Sequence, residues 1–262
     1  MKIAVIGAGA MGGSLAEGLL SGTLFTPADI CVANPHTGKL APLAARGART
    51  TTDNREAVVG ADYVVIVVKP WLVEGVIAEL KPVLNYSRQT VINMAAAIPS
   101  AQLLAWLERD GATPMFFQAI PNIAIAQRAS MTFVATPNAD QAHTDQVMDI
   151  FADLGKAMLV DEHLLSAGTS MAGCGIAYAM RYVRAASEGG VELGFKADEA
   201  KEIALQTMAG AVALLQATGR HPEAEIDRVT TPGGLTIRGL NAMEQAGFSN
   251  AVIQGLVCGK HK

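Results

Sequence analysis

The hydrophobic positions of the first 160 residues form two alternating patterns. Short apolar runs rich in β-branched residues predict buried strands, and they lie at residues 2–6, 30–34, 63–68, 90–94, 115–120, 131–135 and 157–160. Between these runs, apolar residues recur at three- and four-residue spacing, which predicts covering helices at residues 14–20, 73–80, 100–107 and 142–154. Strands that alternate with helices in this way are typical of a parallel sheet that is buried on both faces.

From residue 161 onward only the helical spacing remains, and it predicts helices at residues 164–171, 176–193, 198–218, 223–229, 235–243 and 249–257. The pattern therefore predicts an α/β domain over residues 1–160 and an all-α domain over residues 161–262. Two of these helices, 176–193 and 198–218, are apolar around most of their circumference, so protein must surround them. A domain of this size hardly buries both alone. We expect a homodimer through the helical domain, with a monomeric core as the alternative.

Composition and charge exclude several classes of function. The 262 residues are 50% hydrophobic and 17% charged, with a net charge of -4 and no run of Lys or Arg, so we expect neither a nucleic acid nor a membrane surface as a partner. The longest apolar runs are far shorter than the roughly 18 residues of a membrane helix. The three cysteines are widely separated, which predicts neither disulfides nor a metal site. With no signal peptide visible at the start, we expect a cytoplasmic protein.

A glycine-rich loop directly follows the first predicted strand and opens the first predicted helix. In the sequence Gly-Ala-Gly-Ala-Met-Gly, the first glycine permits a tight turn, the second lets the backbone approach a pyrophosphate, and the third lets helix and strand pack closely. In this context the loop favours dinucleotide binding over a generic glycine-rich turn. The expected cofactor contacts here are Ile6, Gly7, Ala8, Gly9, Ala10, Met11 and Gly12. The fold class is thus an α/β Rossmann-type dinucleotide-binding domain followed by an all-α dimerisation domain.

The end of the second predicted strand bears on which dinucleotide binds. NAD-type sites place a carboxylate there to accept hydrogen bonds from the ribose hydroxyls. This chain has instead Asn34, Pro35 and His36, followed by Thr37 and Lys39, which offer donors and one positive charge. We therefore expect NADPH as the cofactor, with NADH as the alternative.

Several further segments resemble the pyrroline-5-carboxylate reductase family. Residues 52–70, which include Asp53-Asn54 and Val67-Val68-Lys69-Pro70, are similar to its DN…EA…AD…VKPQ stretch, although Trp71 replaces the Gln. Residues 93–98, Asn-Met-Ala-Ala-Ala-Ile, resemble its S-x-A-A-G-I, and residues 120–122 resemble its MPN. The resemblance implies that Asn122 lies at the substrate. It also implies that the cofactor is contacted by Asn54, Val68, Lys69, Pro70, Ala95 and Ala96.

The most specific match lies in the helical half. Residues 227–240, DRVTTPGGLTIRGL, are similar to the family's D-x-V-T-S-P-G-G-T-T-I-x-G-L. From the residues themselves, Thr231 is a suitable N-cap, Pro232 suits the first helical position, and Gly233 and Gly234 leave the next backbone amides uncovered for a carboxylate. The resemblance implies that the hydroxyl of Thr236 hydrogen-bonds the substrate nitrogen and relays its proton.

The chain departs from the family around the substrate. The family's SGSGPAY appears as Ala172-Gly173-Cys174-Gly175-Ile176-Ala177-Tyr178, so two serine hydroxyls are lost. We expect Gly173, Cys174 and Gly175 to contact the substrate, with Cys174 as a buried small residue or a weak S–H donor. Other departures are Gln118, Ile123, Ala124, Arg184 and Leu235.

These observations predict an NADPH-dependent reductase that converts 1-pyrroline-5-carboxylate to L-proline, with a small imino acid as its partner. Two alternatives remain open, a reductase of another cyclic imino acid and a catalytically silent dinucleotide-binding paralogue. A hydroxyacid dehydrogenase is the weakest alternative, because the second domain shows no glycine-rich motif followed by a plausible catalytic lysine. The resemblance implies a homodimer and a higher oligomer as the alternative. We expect the histidines to lie at the surface and not to act in catalysis; they are His36, His143, His163, His221 and His261.

Overall fold

A computed structural model describes residues 1–259 of the chain, which form two compact units. The first unit is Met1–Gly173, and the second begins at Cys174. Predicted His261 lies outside the described residues. Within residues 1–259, no helix combines the length and the apolar character needed to cross a bilayer.

The first unit is built on one eight-stranded sheet. Its strands are β1 (Ile3–Ile6), β2 (Ile30–Ala33), β3 (Arg49–Thr51), β4 (Tyr63–Ile66), β5 (Thr90–Asn93), β6 (Met115–Ile120), β7 (Ser130–Ala135) and β8 (Gly155–Leu159). They are ordered β3-β2-β1-β4-β5-β6-β7-β8. The chain thus leaves β1 toward one edge and returns toward the other, and α/β sheets bind ligands at such a reversal.

Helices cover both faces of the sheet. In this unit they are α1 (Ala10–Ser21), α2 (Thr37–Ala45), α3 (Asn54–Val58), α4 (Val73–Leu80), α5 (Ser100–Leu107), α6 (Gln141–Ala152) and α7 (Leu165–Gly168). Alternate residues of β1 enter two separate apolar clusters: Val5 packs with Leu15 and Phe151, whereas Ile6 packs with Ile77 and Leu103. The expectation of a sheet buried on both faces is confirmed.

Three short elements were missed by the sequence pattern. β3 has three residues and partly exposed side chains, α2 contains Pro42, and α3 has five residues. β3 is too short to show alternation, and α2 and α3 bury only two side chains each, which is too few for a recurring apolar spacing. Contacts with neighbouring elements determine them instead. For example, β3 pairs with β2, with Arg49 opposite Cys31.

The expectation of a wholly parallel sheet was wrong at one pair of strands. β6 and β7 are antiparallel, with Gln118 opposite Ala135, whereas the other pairs are parallel. The connection between them is a short 3-10 helix, Ile123–Gln127, followed by Arg128 with a φ of 54°. A parallel crossover needs a dozen or more residues, so this connection is too short to reverse the chain direction again.

The segment after β8 belongs to the first compact unit, beyond the predicted boundary at residue 160. A 3-10 turn, Glu162–Leu164, leads into α7, where Leu165 is buried with Ile120 and Ala135. A π-helical stretch, Thr169–Cys174, follows directly. The predicted break between helices over residues 172–175 is therefore a wide helical turn.

The second unit is helical, as expected. It contains α8 (Gly175–Glu192), α9 (Ala197–Thr218), α10 (Pro222–Arg228), α11 (Leu235–Gln245) and α12 (Phe248–Cys258). α8 and α9 approach closely, since a Cβ on Gly190 would lie 2.8 Å from that of Ala200. The hydroxyl of Tyr178 donates a hydrogen bond to the carbonyl of Gly255 in α12 (3.1 Å). Among the described residues of this unit, the buried apolar side chains are Ala200 and Ala204 alone.

Candidate functional site

The predicted cofactor residues of four strands meet at one edge of the sheet. In the strand register, Ile6 lies beside both Ala33 and Ile66, and Ile66 lies beside Asn93. The carboxyl ends of β2, β1, β4 and β5 are therefore level, and the loops that follow them are neighbours. The Gly7 amide donates to the carbonyl of Ala33 (2.8 Å), which holds the glycine loop against the end of β2.

The glycine loop has the geometry that its sequence predicts. Gly7 has a φ of +110°, and a Cβ there would lie 2.5 Å from the carbonyl oxygen of Val67. A Cβ on Gly12 would lie 1.9 Å from the carbonyl oxygen of Gly7. Both positions accept only glycine, because the backbone segments are in contact.

The space beside Gly9 fits a dinucleotide phosphate. Gly9 is the N-cap of α1 and makes no side-chain capping bond, so backbone amides at this helix start have no side-chain partner. A Cβ built on Gly9 meets no atom within 4 Å. An open approach to uncapped amides at the positive end of a helix suits an anion. Ala8 is buried, whereas Ala10 is exposed and Met11 is half-buried.

The Asn34 side chain supports the glycine loop through hydrogen bonds. Its side chain is 7% exposed, its Oδ1 accepts from the Ala8 amide (3.1 Å), and its Nδ2 donates to the carbonyl of His36 (3.1 Å). The sequence predicted a cofactor contact at Asn34, but the structure commits both of its amide atoms to the protein. Pro35 and His36, together with Thr37 and Lys39, are exposed beyond this strand.

Asn54 and the segment after β4 also face this edge. The Nδ2 of Asn54 donates to Glu79 of α4 (2.9 Å), while Asp53 caps α3 by accepting from the Arg55 amide (2.8 Å). Val68 is half-buried against Gly7, and the Lys69 side chain is exposed. Pro70 begins a 3-10 turn, Pro70–Leu72, and the Trp71 side chain is 76% exposed.

The last residue of β5, Asn93, was left without a role by the sequence interpretation. Asn93 is fully buried, its Nδ2 donates to the Ala95 carbonyl (2.8 Å), and its Oδ1 accepts from the Ala95 amide (3.2 Å). Ala95 is buried, Ala96 is half-buried, and Ala97 has a φ of 65°. The available signal was a polar residue that ends an otherwise apolar strand.

Asn122 does not present a free side chain to a substrate. Its Oδ1 accepts from the Ala124 amide (3.0 Å), its Nδ2 donates to the Ala172 carbonyl (3.2 Å), and its backbone amide donates to Ser130 (3.1 Å). These bonds hold the segment that contains Ala172, and the substrate contact at Asn122 stays a prediction.

The cysteine that replaces a family serine is only partly covered. Cys174 is half-buried at the end of the π-helical stretch, so the expectation of a buried Cys174 was wrong for this chain taken alone. Gly173 lies in the same stretch, and Gly175 is the first residue of α8. Backbone amides and carbonyls in helical turns bond to each other. Fewer of these groups are therefore free to bind a ligand than in an open loop.

The predicted carboxylate receptor lies at the start of α11, with one change. The helix begins at Leu235, so its N-cap is Gly234 and not Thr231. Thr231 instead closes a turn by accepting the Gly234 amide on its carbonyl (3.0 Å), and Gly233 takes a φ of +68° within that turn. Gly234 has no side chain to cap the helix, so the first-turn amides keep their donors free of a side-chain partner.

Thr236 is in the first turn of α11 and is exposed. The apolar spacing predicted this helix from residue 235, which is confirmed, whereas the cap assigned to Thr231 and the first position assigned to Pro232 were wrong. The observed start brings the hydroxyl to the same end of the helix as the free amides. Leu235, beside it, is 85% exposed.

The histidines and Arg184 have other surroundings. His36, His163 and His221 are exposed, and His143 is half-buried with its Nδ1 2.7 Å from Asp140. The amide and ring of His143 lower the pKa of the Asp140 carboxyl. Arg184 pairs with Glu188 one turn along α8 (2.8 Å).

Known proteins resemble the chain over nearly its full length. The family model described as pyrroline-5-carboxylate reductase dimerisation matches residues 162–260, and the model described as NADP oxidoreductase, coenzyme F420-dependent, matches residues 2–97. Pyrroline-5-carboxylate reductase 1 of Dictyostelium discoideum is 35% identical over 99% of this chain, which spans 49% of that relative's length.

Two further relatives match this chain over almost the full length of both proteins. The pyrroline-5-carboxylate reductase of Methanosarcina acetivorans is 34% identical over 97% of this chain and 94% of its own length. The solved pyrroline-5-carboxylate reductase of Coxiella burnetii is 27% identical, with a TM-score of 0.88 over 98% of this chain and 95% of that chain. The expected resemblance is thereby confirmed, and the chain belongs to the pyrroline-5-carboxylate reductase family.

Proposed function

We propose that this chain reduces 1-pyrroline-5-carboxylate to L-proline, with a nicotinamide cofactor as the hydride donor. The observation that carries the proposal is the start of α11, where amides without a side-chain cap and the exposed Thr236 occur together in a member of this reductase family. This arrangement offers the substrate carboxylate a set of donors at the positive end of a helix.

The cofactor we propose is NADPH. The glycine loop from Gly7 to Gly12 would hold the pyrophosphate, since Gly9 opens onto free space at a helix start. The strand end next to it has no carboxylate to repel a 2′-phosphate and exposes His36, Thr37 and Lys39. When bound, the reduced cofactor supplies the hydride. Lys69 and the Ala95–Ala96 backbone would line the same edge.

The proposed reaction requires side chains mainly to position the substrate and to stabilise charge. Reduction of a cyclic imine adds a hydride to the carbon of the C=N bond and leaves a proton on the nitrogen. A protonated imine is already activated, so positioning and electrostatics can provide most of the acceleration. The amides of the first turn of α11 would fix the carboxylate, and the Thr236 hydroxyl would hydrogen-bond the ring nitrogen and relay its proton.

We propose a homodimer as the functional form. The helical unit exposes large apolar side chains at the end of α8 and on α9 and α12, among them Leu193 (82%), Val212 (48%) and Val257 (64%). Its only buried apolar side chains within the described residues are two alanines. Burial of such small side chains contributes too little free energy to hold five helices together, so a second copy of the unit would supply the missing contacts.

The direct test is reduction by the purified protein. Protein is mixed with NADPH and 1-pyrroline-5-carboxylate, and the loss of reduced nicotinamide absorbance is followed, with NADH and a six-membered cyclic imino acid in parallel. Faster turnover of the five-membered ring with NADPH supports the proposal.

Two results contradict it and point elsewhere. Turnover of the six-membered ring alone would assign the chain to another cyclic imine, a result that the half-buried Cys174 and the exposed Leu235 would then explain. Tight NADPH binding with no turnover of either ring would identify a silent dinucleotide-binding paralogue.

A further inference from the structure

The turn that follows β5 contains an alanine in an unfavourable backbone conformation. Among the non-glycine residues that the structure describes, those with a positive φ are Ala97 (65°), Asp110 (54°) and Arg128 (54°). A Cβ disfavours this left-handed region, and aspartate tolerates it better than alanine because its short polar side chain can bond locally. Ala97 has no such side chain, so neighbouring groups must hold its turn.

Asn93 makes the bonds that hold this turn. Its side-chain amide forms a two-point contact with Ala95, accepting from the amide at 3.2 Å and donating to the carbonyl at 2.8 Å. Asn93 is 0% exposed, so no water competes for these bonds. Two bonds to one residue fix both the position and the orientation of that peptide segment.

A polar network that runs from the interior to the exposed Glu162 holds Asn93 in place. Its Nδ2 is 3.5 Å from the Oε1 of Gln118, whose Nε2 donates to the Oγ of Ser100 (2.8 Å) and to the Oε1 of Glu162 (3.1 Å). The Ser100 amide also donates to Glu162 (2.6 Å). Gln118 serves as acceptor and donor at once, which an amide side chain can do and a charged one cannot. Asn93, Ser100 and Gln118 are buried, whereas Glu162 is exposed, so the network fixes one arrangement of its three buried members and reaches the surface at Glu162.

We propose that Asn93 is a positioning residue for the cofactor, because it clamps Ala95–Ala97 in the conformation that forms the β5 side of the cofactor edge. This inference rests on the proposed function. The β5 loop adjoins the β4 end, since the Met94 amide donates to the Ile66 carbonyl (2.9 Å), and the β4 end in turn packs on the glycine loop. A change in the Ala95–Ala97 backbone therefore alters the wall of the dinucleotide site.

The test removes the Asn93 side chain and asks whether glycine at position 97, which needs no support at a positive φ, restores cofactor binding. Titration of the full-length protein with NADPH, followed by fluorescence, gives the Kd for each variant. Asn93→Ala is expected to raise the Kd about tenfold. In Asn93→Ala/Ala97→Gly the Kd is expected to return to within about threefold of wild type, because glycine adopts a positive φ without steric cost.

Asp110→Gly is the matched control. Asp110 is an exposed residue with a positive φ in the turn that joins Arg109 and Ala112, and no predicted cofactor residue lies there. Adding Asp110→Gly to Asn93→Ala is expected to leave the raised Kd unchanged. Equal rescue by either glycine would show a general gain in stability and would overturn the proposal.

Two other results would also overturn it. These are an unchanged Kd in Asn93→Ala and a raised Kd that Ala97→Gly does not lower. If Asn93→Ala does not fold, Ala97→Gly alone decides: relief of strain raises the Tm of the cofactor-free protein by about 2 °C, and no increase overturns the proposal. Wild-type protein that binds NADPH without reducing an imine contradicts the proposed activity but leaves this affinity comparison in place.

Discussion

At the scale of single residues, two glycines of the dinucleotide loop, Gly9 and Gly12, have different physical roles. Gly12 is required by the fold, because its Cβ would overlap the Gly7 carbonyl. Gly9 is not required by the fold, because its Cβ would enter open space. That open space is where we place the pyrophosphate, so cofactor binding alone should require Gly9.

Alanine substitutions separate these roles. Gly12→Ala is expected to lower the free energy of unfolding by about 2 kcal/mol or more, because backbone atoms must move apart. Gly9→Ala is expected to keep its Tm within a few degrees of wild type while the Kd for NADPH rises at least about tenfold. Thermal melts and NADPH titrations measure both. Gly75→Ala, in α4 with open space around it, is the matched control and should change neither. Normal NADPH affinity in Gly9→Ala would argue against the phosphate site.

Thr236 offers a test of catalysis at a single atom. Thr236→Ala is expected to lower kcat at least tenfold, about 1.4 kcal/mol of transition-state stabilisation, because it removes the hydroxyl that we propose as the partner of the substrate nitrogen. The side chain is exposed in the chain described here, so the Tm should not change. Thr236→Ser keeps the hydroxyl and should retain most of the activity. An unchanged kcat in Thr236→Ala would remove this residue from the mechanism.

At the scale of elements, Asp153 connects the end of α1 to the turn before β7. Its carboxylate accepts from the Thr23 amide (2.7 Å) and hydroxyl (2.8 Å) and pairs with Arg128 (2.7 Å). Burial raises the pKa of this carboxyl, but the bonds from Thr23 and the charge of Arg128 outweigh burial and lower the pKa below 3.8. The folded state therefore favours the ionised form of the Asp153 carboxyl.

The sign of the pH dependence follows from this lowered pKa. Stabilisation by Asp153 is complete above the unfolded pKa and is lost as the pH falls through the folded pKa. Asp153→Asn is expected to lower the free energy of unfolding at pH 7 by about 2 kcal/mol. This difference from wild type should shrink as the pH falls below about 4. Urea denaturation over a pH series measures it.

Asp149→Asn is the control for this series, because Asp149 lies one turn earlier in α6 and is exposed. Its effect on stability at pH 7 should stay within about 0.5 kcal/mol. A destabilisation by Asp153→Asn that is equally large at every pH would contradict the role given to the ionised carboxylate.

At the scale of the whole molecule, the two units differ in how completely they bury their apolar residues. The first unit contains two large clusters of buried side chains on opposite faces of its sheet. The second unit has a groove along α8 and α9 lined by apolar residues, among them the exposed Ile203 and Val212 and the half-buried Leu215. An exposed apolar surface of this kind marks an interaction site.

The proposed homodimer can be tested through this groove. Val212→Glu is expected to shift the protein from dimer to monomer at micromolar concentration, because an unpaired charge in an apolar interface is costly. Light scattering coupled to size exclusion gives the mass. Gln206→Glu, an exposed polar position on the same helix, should leave the mass unchanged. A monomer mass for the wild-type protein would contradict the proposal.

The sequence alone determined the features that depend on local periodicity and local chemistry. Apolar runs located the long strands and helices, and the glycine loop was recognisable because steric contact and helix position leave little freedom in its sequence. The motif at residues 227–240 was likewise sufficient to identify the family. These signals lie within a few consecutive residues, where neighbouring side chains and backbone determine the outcome.

Only the tertiary structure decided which partner each polar side chain has. Asn34 and Asn122 were predicted to contact a ligand, yet they bond to the Ala8 amide and the Ala172 carbonyl, which are distant in the sequence. Asn93 went without a role, and its distant partner is the side chain of Gln118. The antiparallel direction of β7 was decided in the same way. Such pairings depend on where the folded chain places each amide and carbonyl, which periodicity does not encode.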